Sequence, residues 1–488
     1  MGSTFGSLET GVRGLRAHQL ALQVTGQNIT NADTPGYSRQ IAMMQTTAPY
    51  TVPSVYGSNG PGQIGTGVEV TQILRMRDEF IDMQLRGESS LKGRWSMRQS
   101  TLEHLEVVIN EPSDSSISAR LNQLWDSLNE LATRAEDSSV RAAVAEDAVV
   151  FAQTVRHTYQ QLVDLKADLN DQLTVLTGNV NTIAKQIAAL NEVIAKVKGT
   201  GQEPNDLLDQ REQLVQKLSE LTNVNVITDA YDRFNISIGG ASLVSGDTYS
   251  QLKVEKNMSN NGMYDVVWES NNTPAYINNG KIKGLLEMRD QEVGYYIDTL
   301  NDFARELAEN FNTAHRAGYG LEDTTGTNFF INNTNGSPWN IDASNIEVNP
   351  AVTADLKLIA ASVDLYSPPE VTTHGGAPGN GANAQKMANV INRDLLMSNQ
   401  TFTITEFYNG LIAKLGIDAE KSNSTLSNQE TLINYLQDRQ ESVAGVSMDE
   451  ELTNMIKFQN AYNASARYVT AIDELLERLI NGTGTVGR

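Results

Sequence analysis

Near the start of the chain Leu8, Val12, Leu15, Gln19, Leu22, Gly26 and Ile29 recur at alternating intervals of 4 and 3. That is the heptad spacing of a helix that pairs with another helix rather than resting on a broad core. The helix is predicted to stop near Asn31, because Thr34-Pro35-Gly36 reads as a turn with proline second and glycine free to take positive φ. From Tyr37 to Pro61 the chain is expected to be extended and irregular, with Pro49, Pro53 and Pro61 blocking helix. Val68 and Val70 alternate as a short strand, and helix is predicted from about Arg77.

The longest periodic run, from Ser138 to Lys198, carries Phe151, Val155, Tyr159, Leu162, Leu165, Leu169, Leu173, Leu176, Val180, Ile183, Ile187, Leu190, Ile194 and Val197 at intervals of three or four. A helix of this length needs bundled packing, with Gly178 as a candidate bend and Gly199-Thr200-Gly201 as the closing turn. A shorter helix is predicted to return over Asp206 to Leu221, with Leu207, Leu214, Leu218 and Leu221 on its packed side. Between Val224 and Lys283 the period changes to two, as in Phe234, Ile236 and Ile238, and turn clusters such as Gly239-Gly240 separate the strands. Helix is expected again from about Gln291 to Ala314, followed by a stretch rich in Gly, Asn and Pro to about Asn383, with Pro368-Pro369 and Gly375 to Gly381 as a linker. The final helix is predicted to open on a capping box, Ser447 with Glu450. It repeats Leu452, Met455, Gln459, Tyr462, Ala466, Val469, Ile472, Leu476 and Leu479 near every 3.5 residues. The fold class predicted is mainly α with a small β unit: a long helical rod or bundle, coiled-coil helices at both ends, and a reduced outer subdomain.

Length and charge narrow the functional classes. The 488 residues suffice for more than one domain and a sizeable core. A formal charge of −22 disfavours nucleic acid and anionic lipid surfaces as partners. With no cysteine, disulfides, thiol catalysis and thiolate metal sites are excluded. Glu9, Arg13 and Arg16 interrupt the place of a signal-peptide core, and no apolar run reaches the roughly 18 residues of a membrane span. The chain is therefore expected to be soluble, with no membrane partner.

Candidate chemistry is sparse. None of His18, His104, His157, His315 and His374 stands at helical ligand spacing from another, so no metal site is expected. Gly60, Gly62 and Gly65 match a dinucleotide fingerprint, but Pro61 lies inside it and a strand follows, leaving no helix N-terminus for a phosphate. Adjacent acids such as Glu322 with Asp323 and Asp473 with Glu474 leave a carboxylate-based hydrolase as the one enzymatic alternative, against the plainer reading of a solvated acidic surface.

The segment NITNADTPGYSRQ, Asn28 to Gln40, following the heptad helix, resembles the signature of flagellar rod, hook and hook-associated axial proteins. GTGVEVTQILRMRDEFIDMQLR from Gly65, NDLLDQREQLVQKLSEL from Asn205, FNTAHRAGYG from Phe311 and GVSMDEELTNMIKFQNAYNASARYV from Gly445 are similar to the branch of that family found where hook meets filament. The resemblance spans nearly the whole chain. It implies no catalysis and no cofactor, but a structural adapter that is exported through the flagellar apparatus, assembles with copies of itself in a helical or ring array on the distal hook, and seats the second junction protein and the filament. A distal rod or hook role within the same superfamily is the alternative. It also implies an export chaperone on the C-terminal helix. Three units are expected: residues 1–60 with 440–488 as a terminal coiled-coil assembly domain, 61–320 with 384–439 as a helical rod domain containing the β unit at 224–283, and 321–383 as a reduced outer subdomain or loop region. Neither terminal stripe can bury its face alone, so each is expected to be loosely ordered until paired. The seam residues expected are Leu8, Val12, Leu15, Leu22, Ile29, Leu452, Met455, Tyr462, Val469, Leu476 and Leu479, and the signature turn is Asn28, Asn31, Pro35, Gly36 and Tyr37.

Overall fold

The computed structural model describes residues 4–49, 65–322, 324–363, 365–366, 375–376, 379–392, 395–397 and 400–483. Pro53, Pro61, Gly60 and Gly62 of the irregular segment, Asp323, Pro368-Pro369, most of the expected linker before Gly379, and His374 lie outside the described residues.

In chain order, α1 (Thr4–Thr30) leads into the antiparallel hairpin β1 (Gln40–Thr46) and β2 (Val68–Arg75). Then come α2 (Glu79–Ile109), α3 (Ile117–Thr133), α4 (Ser138–Gly199) and α5 (Asn205–Leu221). The β unit is a four-stranded antiparallel sheet, β3 (Asn225–Thr228), β4 (Phe234–Ile238), β5 (Ala241–Ser245) and β6 (Thr248–Tyr249), with a separate hairpin, β7 (Leu252–Asn257) and β8 (Met263–Trp268). After α6 (Lys281–Glu287) and α7 (Val293–Arg316), the small pair β9 (Phe330–Asn332) and β10 (Ile346–Val348), α8 (Pro350–Ala354), β11 (Leu365–Tyr366), β12 (Gly375–Gly376), α9 (Ala382–Ala388) and the hairpin β13 (Leu395–Met397) and β14 (Gln400–Phe402) precede α10 (Ile404–Ala444) and α11 (Met448–Thr483).

The axis of the rod is α4, 62 residues long. Its start is fixed by Asp137, whose carboxylate accepts the Ser139 amide at 2.8 Å, and two lysines in its last turn suit the helix dipole. The helix continues without interruption through Gly178. Gly178 faces solvent, while Leu176, Thr177 and Val180 continue the buried stripe past it.

Three asparagines on α4, Asn170, Asn181 and Asn191, attach the β unit. The Asn181 amide holds the Leu252 N–H and C=O at 2.9 and 2.7 Å. Fully buried Asn191 accepts from the Phe234 N–H and donates to the carbonyls of Phe234 and Gly246. Asn170 accepts from the Tyr264 N–H at 2.7 Å. Each amide satisfies backbone of the β unit that the sheets leave unpaired, fully buried at Asn191 and half-buried at Asn170 and Asn181. The period-two reading of Phe234, Ile236 and Ile238 holds, all three side chains being buried.

Three expectations change. Helix begins at Lys281 rather than near Gln291: α6 runs through a π turn, Met288–Glu292, directly into α7, with Arg289 buried there and donating to the Tyr264 carbonyl. On α5 the buried residues are Asn205, Leu208, Asp209, Arg211, Glu212, Val215, Leu218 and Ser219, whereas Leu207, Leu214 and Leu221 are half-buried, because the helix packs polar partners as well as apolar ones. Much of the stretch expected as a loop or reduced outer subdomain belongs to the main core. Phe329, Phe330, Ile341, Ile346, Val348, Val352 and Ile359 are buried with α4 and α7, and Asn312 binds the backbone of Phe329 and Phe330. The long helix α10 lies along α2, with a second small core of Ile81, Leu85, Ile433 and Leu436 at that end.

Candidate assembly interface

The two chain ends meet. Along α1 and α11 the contacts run antiparallel: Gly11 against Tyr468 and Val469, Gly14 against Ser465, His18 stacked 6.4 Å from Phe458, and Asn28 on Glu451. Each end therefore supplies the other's contacts within one chain, which is a pairing of the kind the two stripes were expected to need.

The buried face of α1 is Gly11, Gly14, Ala17, Ala21, Val24, Thr25 and Asn28, one position round the helix from the predicted stripe. A Cβ on Gly11 would lie 2.7 Å from Val469 Cγ2, and one on Gly14 3.1 Å from Ser465 Oγ, so small residues let the backbones approach closely. Leu8, Val12, Leu15, Leu22 and Ile29 are left half-buried. On α11, Leu476 is buried and Met455, Tyr462 and Val469 are half-buried, while Leu452, Ile456, Leu475, Leu479 and Ile480 are between 45% and 63% exposed. The pair is closed by small side chains and presents large apolar ones outward.

At the end of α1 the signature turn has the expected form. The Tyr37 N–H donates to the Thr34 carbonyl at 3.1 Å across Pro35 and Gly36, and Gly36 has φ +76°. Asn31 closes the helix, its side-chain amide donating to the Gln27 carbonyl and its oxygen accepting from the Thr34 hydroxyl. Asn28, 1% exposed, has the larger role. Its oxygen accepts from the Tyr37 hydroxyl at 2.8 Å and the Gln40 N–H at 2.9 Å, and its NH2 donates to the Gln40 carbonyl and to Glu451. Burial, then Asp206, Asp209 and Glu451, pushes the Tyr37 phenol above its ordinary range, so it remains a donor.

Glu450, the predicted capping-box partner of Ser447, turns to Arg39 instead. Glu450 meets Arg39 Nη2 at 2.9 Å and buried Glu451 meets Arg39 Nε at 2.8 Å, tying the first turn of α11 to the strand leaving the signature turn. A reciprocal box stands at the start of α10, between Thr403 and Glu406. The sequence reading missed Arg39, Glu451 and Asp209. Their signal was charge placed inside quoted motifs with no stated partner. Of the acids held as possible catalytic pairs, Glu322 is exposed on Lys357, and Asp473 and Glu474 are exposed on α11.

Comparison with known proteins divides the chain along the same lines. Residues 8–37 match the flagella basal body rod protein family, 441–482 the flagellar basal body rod FlgEFG protein C-terminal family, and 102–330 the helical domain of flagellar hook-associated protein FlgK. Flagellar hook-associated protein 1 of Bacillus subtilis is 32% identical, with 100% of both chains covered. That of Escherichia coli is 25% identical over 97% of this chain and 99% of its own, and that of Salmonella typhimurium 26% identical over 96% and 98%. The fold is shared with the flagellar hook junction protein FlgK from Burkholderia pseudomallei, at a TM-score of 0.61 and 18% identity, covering 74% of this chain and 100% of that one. A heptad-bearing pair of chain ends, a helical rod between them and full-length similarity to one group of relatives agree, and the chain belongs to the flagellar hook-associated protein 1 family, structural rather than catalytic components of the bacterial flagellum.

Proposed function

We propose that the protein is the adapter that assembles on the distal end of the hook and seats the second junction protein and filament, and that the α1–α11 pair is its assembly seam. One observation carries this reading: the pair is completed by Gly11, Gly14, Ala17 and Ala21, leaving Leu452, Ile456, Leu475, Leu479 and Ile480 outward together with half-covered Leu8, Leu15, Leu22 and Ile29. Large apolar side chains left exposed at this number along one helix pair mark a surface that another surface covers. Copies related by a rotation that does not close cover one another in a helical tube. Travel through the flagellar export apparatus, with a chaperone shielding α11 beforehand, fits the same exposed face.

The test is assembly on purified hooks. Leu15→Asp and Leu475→Asp variants are expected to keep the circular dichroism and melting temperature of the rod while losing attachment. Attachment equal to that of the unmodified protein would rule the seam out. A chaperone pull-down that persists after deletion of α11 would count against the shielding role.

A further inference from the structure

The motif NDLLDQREQLVQKLSEL has no part in the seam, yet its first residues make an unusual set of contacts. We propose that the first turns of α5 are the socket in which the terminal unit sits, and that Asp209 is the positioning residue that fixes the angle between that unit and the rod.

The terminal unit, comprising α1, the signature turn, β1, β2 and α11, is held together internally by Asn28, Arg39 and Glu451. It is joined to the rod in a different way. Among the described residues, no side chain of α1, β1, β2 or α11 belongs to either hydrophobic core. The junction is polar, and most of it converges on one face of α5. Asn205 Nδ2 donates to Gln40 Oε1 and the Ile73 carbonyl at 3.1 and 2.9 Å. Asp206 accepts from Gln40 Nε2 at 3.0 Å, and Gln213 Nε2 donates to the Pro35 carbonyl.

Asp209 is the centre of this face. Its carboxylate accepts the Ser38 N–H at 2.9 Å, the Ser38 hydroxyl at 2.7 Å, Arg75 Nη1 at 2.8 Å and Arg77 Nη1 at 3.4 Å. Its side chain is 6% exposed. Ser38 closes the signature turn ahead of β1 and Arg75 ends β2, where the chain passes into the rod, so one carboxylate binds two separate segments of the terminal unit. Arg77 also holds Asp82 of α2, itself bonded by Gln440 of α10. A joint between units that shares no apolar core is free to reorient unless specific contacts hold it. Charged hydrogen bonds from several directions supply that restraint, and they are lost when the single shared acceptor is removed. Beside the socket an open groove of about 450 Å³, between the signature turn, Gln213 and the end of α10, leaves room for the unit to swing.

The absence of cysteine makes the test direct. Spin labels on Lys185→Cys in α4 and Lys457→Cys in α11, both exposed, report the distance between the units in the full-length monomer. With Asp209 intact the distance distribution is expected to be narrow and single. Asp209→Ala is expected to broaden it at least twofold, with the thermal melting of the rod unchanged. Should Asp209→Ala disturb the rod itself, the double variant Ser38→Ala with Arg75→Gln removes the same contacts from the opposite side and is expected to broaden the distribution equally. A distribution of unchanged width in that double variant, or in a folded Asp209→Ala protein, overturns the proposal. The readout uses isolated monomers, so it stands or falls independently of the hook-attachment test of the seam.

Discussion

His315 shows how much one buried side chain can specify. It is fully buried on α7, its Nδ1 lies 2.8 Å from the Thr327 carbonyl and its Nε2 accepts the Ala360 N–H at 3.1 Å. Only the neutral ring with its proton on Nδ1 makes both bonds. Burial, with Arg141 nearby, lowers its pKa to about 4, against the bond to Thr327, which raises it. A histidine depressed in the folded state contributes stability that is present above its unfolded pKa of about 6.5 and lost as pH falls toward 4. The protein is therefore expected to lose about 3 kcal/mol between pH 6.5 and 4 from this group, read from urea midpoints. His315→Gln, which can still donate and accept, is expected to flatten that slope, and an equally steep slope would refute the assignment. The sequence placed this histidine in the segment FNTAHRAGYG but gave it no role, because that role depends on burial and on backbone brought from residues 327 and 360.

At the scale of elements, long periodic helices were legible because their period repeats many times, and the extent of α4 was read to within one residue at its end. The face of α1 was not, for a physical reason. Periodicity weighs large apolar side chains, whereas α1 pairs through glycine and alanine, whose contribution is the close approach they permit. Gly11→Leu is accordingly expected to force α1 and α11 apart and cost about 1–3 kcal/mol of local stability. Hydrogen exchange should then quicken in those two helices and leave α4 unchanged; uniform quickening would mean that the ends and the rod unfold as one. The asparagine attachments on α4 were equally invisible, since asparagine in a helix ordinarily faces solvent. Asn191→Ala leaves a buried N–H and two buried carbonyls short of a partner and is expected to cost about 3 kcal/mol, read from the thermal or urea transition. A loss below about 0.5 kcal/mol would show that water takes its place.

For the whole molecule, the family resemblance in the sequence carried the biological setting, and full-length similarity agrees with it. The long-range pairings were illegible: Asp209 with Ser38 and Arg75, or Arg39 with Glu451, join residues far apart in the chain through contacts that no local period encodes. The first set joins the terminal unit to the rod, and the second holds the terminal unit together. The rod's own proportions give them their consequence. The closing end of α4 adjoins the socket on α5, and the helix extends unbroken for 62 residues, about 93 Å at 1.5 Å per residue. An arm of that length is an amplifier of angle: a tilt of about 5° at its base displaces the tip by about 8 Å, nearly the diameter of a helix. A carboxylate that holds its partners to within a few tenths of an ångström thus determines where a surface tens of ångströms away meets its surroundings, and the tolerance of the built structure is set by the smallest group at the fulcrum.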